Sequence, residues 1–342
     1  MIEVQHLTKK YGTHLAVEDV SFTVNDGEIL GFLGPNGAGK STCMNILTGY
    51  LSATKGDVSI DGYDILQSPA AAKRRIGYLP EMPPLYLDMT VKEYLSYVYE
   101  LKKVKLVKGP HIEEICRLTK IKDVYHRLIG SLSKGYRQRV GIAQALVGNP
   151  KVLILDEPTV GLDPKQIMEV RNLIRMLGKT HTVILSSHIL TEVQAVCDRI
   201  IIINKGKIIA DDTPDRLSDA MSDDHSMSVV IEGDRHVVAK EIAGLPGVKS
   251  VHFIKSHDNA SEFAIDPVVG YDFRHALFSL AAEKNWPILQ LQNNQMTLED
   301  IFLRLTDESY YTQGLQKSLQ IRKQANEIVD ENEQQPVKEE EA

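Results

Sequence analysis

The chain has few cysteines and no long apolar run. Only three cysteines occur among its 342 residues, Cys43, Cys116 and Cys197, an odd number at wide spacing. This pattern indicates a reducing compartment rather than a disulfide framework. No stretch approaches the roughly 20 apolar residues of a membrane-spanning helix, and the N-terminus lacks the basic and apolar regions of a signal peptide. We therefore expect any association with a membrane to be made through a partner.

The composition also lacks a strong excess of charge. Hydrophobic residues make up 43% and charged residues 25% of the chain, as is usual for soluble globular proteins, and the length favours two domains. The formal net charge is -7. A negative total argues against nucleic-acid or anionic-lipid binding over a large surface, although a local basic patch is compatible with it. The sequence predicts no nucleic-acid partner.

What the chain does contain is a phosphate-binding loop. Residues 34–42 match the pattern G-x-x-x-x-G-K-[ST] and follow the apolar residues 29–33. Glycines let successive backbone N–H groups turn toward a polyphosphate, and the helix that follows directs its positive dipole end at the same anion. In this pattern Lys40 reaches the β- and γ-phosphates and the Ser41 hydroxyl is a Mg²⁺ ligand. The loop consists of Gly34, Pro35, Asn36, Gly37, Ala38, Gly39, Lys40, Ser41 and Thr42.

A second motif is an unbroken apolar stretch, residues 152–155, that ends in two adjacent acids. Continuous hydrophobicity is typical of a parallel strand covered on both faces, and open α/β sheets bind ligands at the carboxyl ends of such strands. There Asp156 can hold Mg²⁺, and Glu157 can orient or deprotonate an attacking water. A solvated acidic turn is the alternative, and the phosphate-binding loop argues against it. The two motifs together predict a nucleoside triphosphate and Mg²⁺ as ligands.

Three more residues are candidates for a functional site because of their positions relative to the predicted strands and helices. Tyr11 lies between two strand patterns, where it can stack on an adenine with Val17 on the ribose side; ordinary turn packing is the alternative. His188 follows the apolar residues 182–185, so we expect it at the same sheet edge as the acids, near a γ-phosphate, although a single histidine after a strand is more often structural. Ser133 is placed to cap a helix with a basic first turn, which by itself indicates only an amphipathic helix.

The motifs of residues 2–217, and their order along the chain, resemble those of the nucleotide-binding subunit of an ABC transporter. Tyr11 stands in the place of the adenine-stacking residue and residues 34–42 in that of the Walker A motif. Asp156 corresponds to the Walker B acid and Glu157 to the catalytic acid. The resemblance implies a P-loop NTPase fold of the ABC ATPase type, with a mixed-sheet core and a helical subdomain.

The resemblance extends to the remaining motifs of the family. His188 stands as the switch histidine, residues 132–136 as the signature, and residues 161–163, which end in Asp163, as the D-loop. It implies a head-to-tail dimer in which each ATP lies between the P-loop of one copy and the signature helix of the other. It also implies a separate membrane permease and a location on the cytoplasmic face of the membrane.

Two motifs depart from the family pattern. The signature usually reads Leu-Ser-Gly-Gly-Gln, so Lys134 and Tyr136 are substitutions, while Ser133 and Gly135, which the resemblance places at the γ-phosphate, are kept. Lys134 adds a positive charge that suits phosphate. Glu81 stands where the family usually carries a glutamine that ligates Mg²⁺ and contacts the permease. A glutamate can ligate Mg²⁺ through oxygen but adds negative charge, which leaves its part in coupling open.

The first predicted domain covers residues 1–217, and the segment that follows it has a different pattern. The helical subdomain covers about residues 85–149 of that domain, whereas residues 218–308 predict the order βαββαβ, which is ferredoxin-like. We expect an α+β accessory domain with a regulatory or dimer-bracing role, similar to that of bacterial multidrug, antibiotic and sodium exporters and gliding-motility components. Its histidines are scattered, which argues against a metal site. Residues 309–342 predict a short helical stretch and then a disordered acidic tail.

These features predict the ATPase motor of an ABC exporter, which converts ATP and water to ADP and phosphate. One alternative is a soluble ABC ATPase that acts on DNA or the ribosome; the single ATPase unit and the acidic net charge argue against it. Another is a membrane-associated ATPase with a signalling or motility role that moves no substrate. The sequence leaves this open because substrate specificity lies in the permease.

Overall fold

The chain folds into two compact units. The computed structural model describes residues 1–220, 227–257, 259–268 and 271–293. Within these residues the first unit ends at Pro214 and the second begins at Asp215. The first unit has the mixed α/β fold that the motifs predict.

The elements of the first unit alternate between strand and helix over much of its length. Its strands are β1 (Ile2–Tyr11), β2 (His14–Val24), β3 (Ile29–Leu33), β4 (Lys55–Ile60), β5 (Tyr63–Asp64), β6 (Ile76–Leu79), β7 (Val152–Asp156), β8 (Thr182–Ser187), β9 (Arg199–Asn204) and β10 (Lys207–Asp212). Its helices are α1 (Lys40–Leu47), α2 (Pro69–Arg74), α3 (Val91–Leu101), α4 (Lys108–Leu118), α5 (Lys134–Leu146), α6 (Pro164–Gly178) and α7 (Leu190–Gln194), and α8 (Pro214–Ala220) begins at its last residue.

The larger sheet has the strand order β10-β9-β3-β8-β7-β6. Strands β6, β7, β8, β3 and β9 run parallel, and β10 joins the edge antiparallel to β9. Strands β3 and β7 are buried along their whole length, as their continuous hydrophobicity predicts. The register pairs Leu33 with Ser187 and Asp156 with Ser186. The carboxyl ends of β3, β7 and β8 are therefore level with one another at one edge of the sheet.

A smaller antiparallel sheet has the order β2-β1-β4-β5. Its β1–β2 hairpin is tight, with the Tyr11–His14 pair closing it, so Tyr11 is the last residue of a strand rather than part of a longer polar turn. The main core joins this sheet to the larger sheet and to α1; for example, the rings of Phe22 and Phe32 lie 5.6 Å apart between centroids. Burial of such side chains contributes about 1.5–3 kcal/mol each.

Residues 85–149 form helices α3, α4 and α5 without a regular strand. Thr90 and Glu93 make the capping box that starts α3, with both reciprocal hydrogen bonds present. Helix α5 packs against β6, and Gly77 permits the close approach: a Cβ there would lie 2.3 Å from the carbonyl oxygen of Ala145. The helical part of the chain is thus attached directly to the parallel sheet.

After α8, the second unit has four strands and two further helices in the described residues: β11 (Met227–Glu232), α9 (Arg235–Ala243), β12 (Val248–His257), β13 (Ala260–Pro267), α10 (Arg274–Lys284) and β14 (Ile288–Asn293). The antiparallel sheet has the order β12-β13-β11-β14, the arrangement of ferredoxin-like folds. Val229 and Phe263 of the sheet pack with Ile242 and Leu277 of the helices in its core.

The predicted tail of residues 309–342 and the end of the predicted second domain, residues 294–308, fall outside the described residues. The domain limits drawn from the sequence, and the accessory role of the second domain, stay predictions. Among the residues that the structure describes, no helix combines the length and the apolarity needed to cross a membrane.

Candidate functional site

The phosphate-binding loop connects the end of β3 to the start of α1. Gly37 and Gly39 have left-handed φ angles of 80° and 108°, which other residues adopt at a cost. Gly39 is also the N-cap of α1 and makes no side-chain cap, and a Cβ on it would lie 2.7 Å from the carbonyl oxygen of Ala16. The first N–H groups of α1 are therefore not capped by a side chain at this position, and they are suited to bind an anion.

Lys40 is bent back over this loop. Its ammonium donates to the carbonyl oxygens of Gly34 at 2.7 Å and Pro35 at 3.3 Å, and it lies 3.5 Å from Oε1 of Glu157. Only 6% of the residue is exposed. A buried ammonium costs free energy unless it is paired, so these contacts hold a positive charge in the loop where a phosphate would bind.

Asp156 is the last residue of β7. Its Oδ1 accepts a hydrogen bond from the Ser186 hydroxyl on the neighbouring strand. The pKa of Asp156 is raised, mainly because the residue is buried, and the negative charge of Glu81 raises it further. Hydrogen bonds from the hydroxyls of Ser186 and Ser41 and the positive charge of Lys40 lower it in part. The carboxylate therefore lies among hydroxyl groups, one acid and one cation.

Glu157 follows directly and takes an uncommon backbone conformation, with φ of 47°. Its N–H donates to both the hydroxyl and the carbonyl oxygen of Ser186, at 3.0 and 3.2 Å. Its Oε2 lies 2.9 Å from Nδ1 of His188. Left-handed φ at a residue other than glycine costs about 1–3 kcal/mol and clusters at functional sites. The side chain is thereby held between Lys40 and His188.

Lys40, Glu157 and His188 open onto one cavity of about 590 Å³. That volume lies within the usual range for small-molecule sites. Its lining joins the hairpin, the phosphate-binding loop, the segment after β6 and the ends of β7 and β8. The lining residues are Tyr11, His14, Ala16, Asn36, Gly37, Gly39, Lys40, Ser41, Thr42, Glu81, Glu157, Val160 and His188.

Several residues expected at the cavity lie outside its lining. Val17 is fully buried in the core, and its neighbour Ala16 lines the cavity instead. The register of β1 against β2 shifts between Lys9 and Lys10, opposite this point, so the simple alternation of faces fails there. Gly34, Pro35 and Ala38 belong to the loop but not to the cavity lining, and Asp156 lies behind it.

Three lining residues were not singled out in the sequence: His14, Ala16 and Val160. The pairing of His14 with Tyr11 across the hairpin would have indicated the first of them. Val160 lies three residues beyond Glu157, and nothing in its residue type marks it as part of a site.

The signature residues do not line this cavity. Ser133 caps α5 by accepting from the N–H of Tyr136 at 3.4 Å, and Tyr136 donates its hydroxyl to Asp123. A Cβ on Gly135 would lie 2.3 Å from Oε1 of Gln166. The start of α5 therefore packs against the start of α6.

The D-loop touches the same region. Asp163 caps α6 by accepting from the N–H of Gln166 at 2.9 Å. The ammonium of Lys134 lies 2.0 Å from the position that a Cβ on Gly161 would take. We call the surface formed by residues 133–136 and 161–163 the signature face.

The oxygen ligands around Asp156 fit Mg²⁺. The residues described contain no group of three or more His, Cys, Asp or Glu side chains placed to hold a metal. Mg²⁺ does not require one, because it binds through one or two carboxylates together with substrate phosphates and waters. Ser41, Glu81 and Asp156 supply a hydroxyl and two carboxylates near the phosphate-binding loop.

Comparison with known proteins shows the family to which the chain belongs. A profile of the ABC transporter family matches residues 17–160. The uncharacterized ABC transporter ATP-binding protein YhcH of Bacillus subtilis (strain 168) is 42% identical over 211 residues, covering 61% of this chain and 68% of that protein. The chain belongs to the ABC transporter ATP-binding proteins.

Two further ABC proteins extend the likeness. The linearmycin resistance ATP-binding protein LnrL of Bacillus subtilis (strain 168) is 32% identical over 312 residues, which cover 90% of this chain and 98% of LnrL. That match is longer than the first unit and so reaches into the second. The dimeric post-hydrolysis structure of the ATP-binding cassette MJ0796 bound to ADP and Pi has a TM-score of 0.57 and 26% identity, covering 62% of this chain and 98% of that chain.

The position of Tyr11 at the cavity leads to a testable expectation. The residue is 47% exposed, and the Lys9 ammonium lies 5.3 Å from the centroid of its ring. Stacking of a base on an aromatic ring is worth about 1–3 kcal/mol, so Tyr11→Ala should weaken ATP binding about tenfold or more and reduce the preference for ATP over GTP. Tyr11→Phe keeps the ring and should bind as the native protein does. Titration calorimetry with both nucleotides measures this, and equal affinities of the alanine variant and the native protein would contradict it.

Proposed function

We propose that this chain is the ATP-binding and ATP-hydrolysing subunit of an ABC exporter, which works as a head-to-tail dimer with a separate membrane permease. The observation that carries the proposal is the meeting of Lys40, Glu157 and His188 at one cavity, beside the phosphate-binding loop. The name of LnrL, which refers to resistance to linearmycin, is consistent with export. The subunit would act on the cytoplasmic face of the membrane.

In this proposal ATP extends from Tyr11 to the far end of the phosphate-binding loop. Lys40 and the N–H groups of the loop bind the β- and γ-phosphates. Ser41, Asp156 and Glu81 would hold Mg²⁺, which supplies positive charge to the phosphates when bound. Thr42 and Asn36 complete the wall of the cavity beside the loop.

Glu157 is the proposed catalytic base. Its carboxylate orients a water and accepts the proton as the water oxygen attacks the γ-phosphorus, while the bond to the ADP oxygen breaks. His188 Nδ1, at 2.9 Å from Oε2, keeps the carboxylate in place and can reach the γ-phosphate region itself. Lys40 stabilises the charge that develops on the phosphoryl oxygens.

The Glu157→Gln variant tests this assignment. It keeps the size and hydrogen-bonding reach of the side chain but removes the base, so turnover should fall by about 10²-fold or more. ATP should still bind and hold the dimer closed, and we expect a dimer on size exclusion or light scattering with Mg²⁺ and ATP. Near-normal turnover would move the catalytic role to another residue, with His188 the first candidate. Loss of ATP binding would show that Glu157 is structural.

The proposed dimer rests on the lack of signature residues in the lining of the cavity. Neither Ser133 nor any other residue of the signature face lines it, although the family resemblance places Ser133 and Gly135 at the γ-phosphate. A second copy, related by a two-fold axis, would bring its own signature face to the cavity. Each chain would then hold one half of two sites, with Lys134 adding a cation at the phosphate.

Mixing two inactive variants tests this arrangement. Lys40→Ala disables the phosphate-binding loop, and Ser133→Arg disables the signature face while leaving nucleotide binding to the single chain intact. In a mixed dimer one site combines the native loop of one chain with the native signature of the other. We expect activity to return, up to about a quarter of the native rate if half of the dimers are mixed and the sites act independently. Activity of the mixture no greater than the sum of its parts would contradict the shared site.

The proposed permease contact is a groove of about 610 Å³ beside the nucleotide cavity. Its lining includes Tyr50 and Met82, which are 83% and 84% exposed. Large exposed apolar side chains at a groove are typical of sites that bind another protein. Glu81 lines the nucleotide cavity, whereas its neighbours Pro80 and Met82 line the groove. A ligand at Glu81 is therefore placed to affect the groove through the adjacent residues Pro80 and Met82.

Copurification separates this proposal from its alternatives, a soluble ABC ATPase and a signalling or motility ATPase that moves no substrate. The native chain should copurify from detergent-solubilised native membranes with an integral membrane chain that mass spectrometry identifies as a permease. Met82→Glu should lose that partner because a charge would be buried in the contact. Leu66→Glu changes another exposed apolar residue, which is 57% exposed and lies outside the groove, and this variant should retain the partner. A ribosomal or DNA-bound partner, or no membrane chain, would contradict the transport role.

A further inference from the structure

A buried glutamate lies behind the proposed catalytic pair. Glu192, in the short helix α7, is 4% exposed. Its Oε2 accepts two hydrogen bonds, from the hydroxyl of Thr159 at 2.5 Å and from that of Ser187 at 3.1 Å. Both donors are themselves buried. We call this group of Thr159, Ser187 and Glu192 the Glu192 clasp.

The clasp joins two segments that are distant in the sequence. Thr159 lies two residues after Glu157, and its carbonyl oxygen accepts from the N–H of Leu162 at the D-loop. Ser187 directly precedes His188, and its Oγ also accepts from the N–H of Ile189 at 3.0 Å. The Glu192 carboxylate thus holds Ser187, the residue before His188, and Ser187 in turn holds Ile189, the residue after it; the same carboxylate is bound to the segment of Glu157 through Thr159.

The geometry of the site requires such support. The left-handed backbone of Glu157 is maintained only if the surrounding structure determines it. The contact of Glu157 with His188 joins the ends of two strands. Displacement of a catalytic side chain by about 1 Å can lower the rate of the catalysed reaction by a large factor. A buried carboxylate also costs free energy unless it is hydrogen bonded, and a purely apolar contact at this place would avoid that cost. The hydrogen bonds of the clasp have fixed direction, which apolar packing lacks.

We propose that Glu192 is a positioning residue for ATP hydrolysis: through Thr159 and Ser187 its carboxylate sets the position of Glu157 relative to His188. The proposal rests on the proposed function, because it takes Glu157 as the base. Glu192 does not line the nucleotide cavity and acts only through the residues that it holds.

Thr159 offers the cleanest test because its shape can be kept while its hydroxyl is removed. Thr159→Val should lower kcat about tenfold, the loss expected when one hydrogen bond to a charged group is removed, with KM for ATP changed less than about twofold. Thr159→Ser retains the hydroxyl and should keep most of kcat. The matched control is Thr119→Val: the Thr119 hydroxyl is also buried, and it donates to the carbonyl oxygen of Ile115 at 2.8 Å in the helical part of the chain. This control should lose similar thermal stability and no kcat.

A double-mutant cycle separates positioning from general support of the fold. In the His188→Ala background there is no imidazole relative to which the clasp could position Glu157. Thr159→Val should therefore lower the residual kcat by less than about twofold. The same tenfold loss in both backgrounds would overturn the proposal. So would a Thr159→Val variant whose kcat equals that of Thr119→Val.

The outcome also distinguishes this inference from the function on which it rests. If Glu157→Gln is inactive and Thr159→Val is not impaired in kcat, only the positioning role of Glu192 fails. If Glu157→Gln turns over ATP at a near-normal rate, the assignment of the base fails and the positioning role fails with it.

Discussion

Charge buried at one edge of a parallel sheet is the constraint on which this structure depends. Lys40, Asp156 and Glu157 are each no more than 6% exposed. Buried charges are tolerated only where partners compensate for the lost water. Lys40 has two carbonyl oxygens and Glu157 as partners, and Asp156 has the hydroxyl of Ser186. These contacts are possible only because three strands end level with one another.

The same edge explains why hydroxyl residues follow the apolar part of β8. Ser186 donates to Asp156 and accepts from the N–H of Glu157, so one side chain serves both acids. Ser187 points to the other side of the strand, toward Glu192. Two successive serines thereby provide hydrogen bonds on both faces at the point where the sheet core ends and the site begins.

The family assignment and the site geometry answer different questions. Family membership establishes an ATP-binding protein of the ABC type, and the match to LnrL reaches into the second unit of the chain. The geometry shows which side chains converge and which do not. The absence of Ser133 from the described lining of the cavity, and the position of Glu81 between cavity and groove, support our proposals for a dimer and a permease contact.

Much of the site could be predicted from residue order, because its chemistry is local in the sequence. The loop that ends in Lys40 and Ser41 contains its own glycines, and the apolar stretch before Asp156 and Glu157 indicates a buried parallel strand. The carboxyl ends of such strands meet, so the convergence of these residues follows from the fold class. The order of elements in the second unit could be predicted for a similar reason, since strand and helix patterns alternate clearly there.

What tertiary structure alone decided depends on contacts between distant residues. Val17 was expected at the cavity, but a register shift in the hairpin buries it and brings Ala16 to the surface of the site. The groove at Met82 requires the packing of α5 against β6, which no local pattern shows. The pairing of Thr159 with Glu192 joins residues 33 positions apart. Such partners are set by the sheet register and by burial, because a hydrogen bond between distant side chains leaves no periodic mark on the sequence.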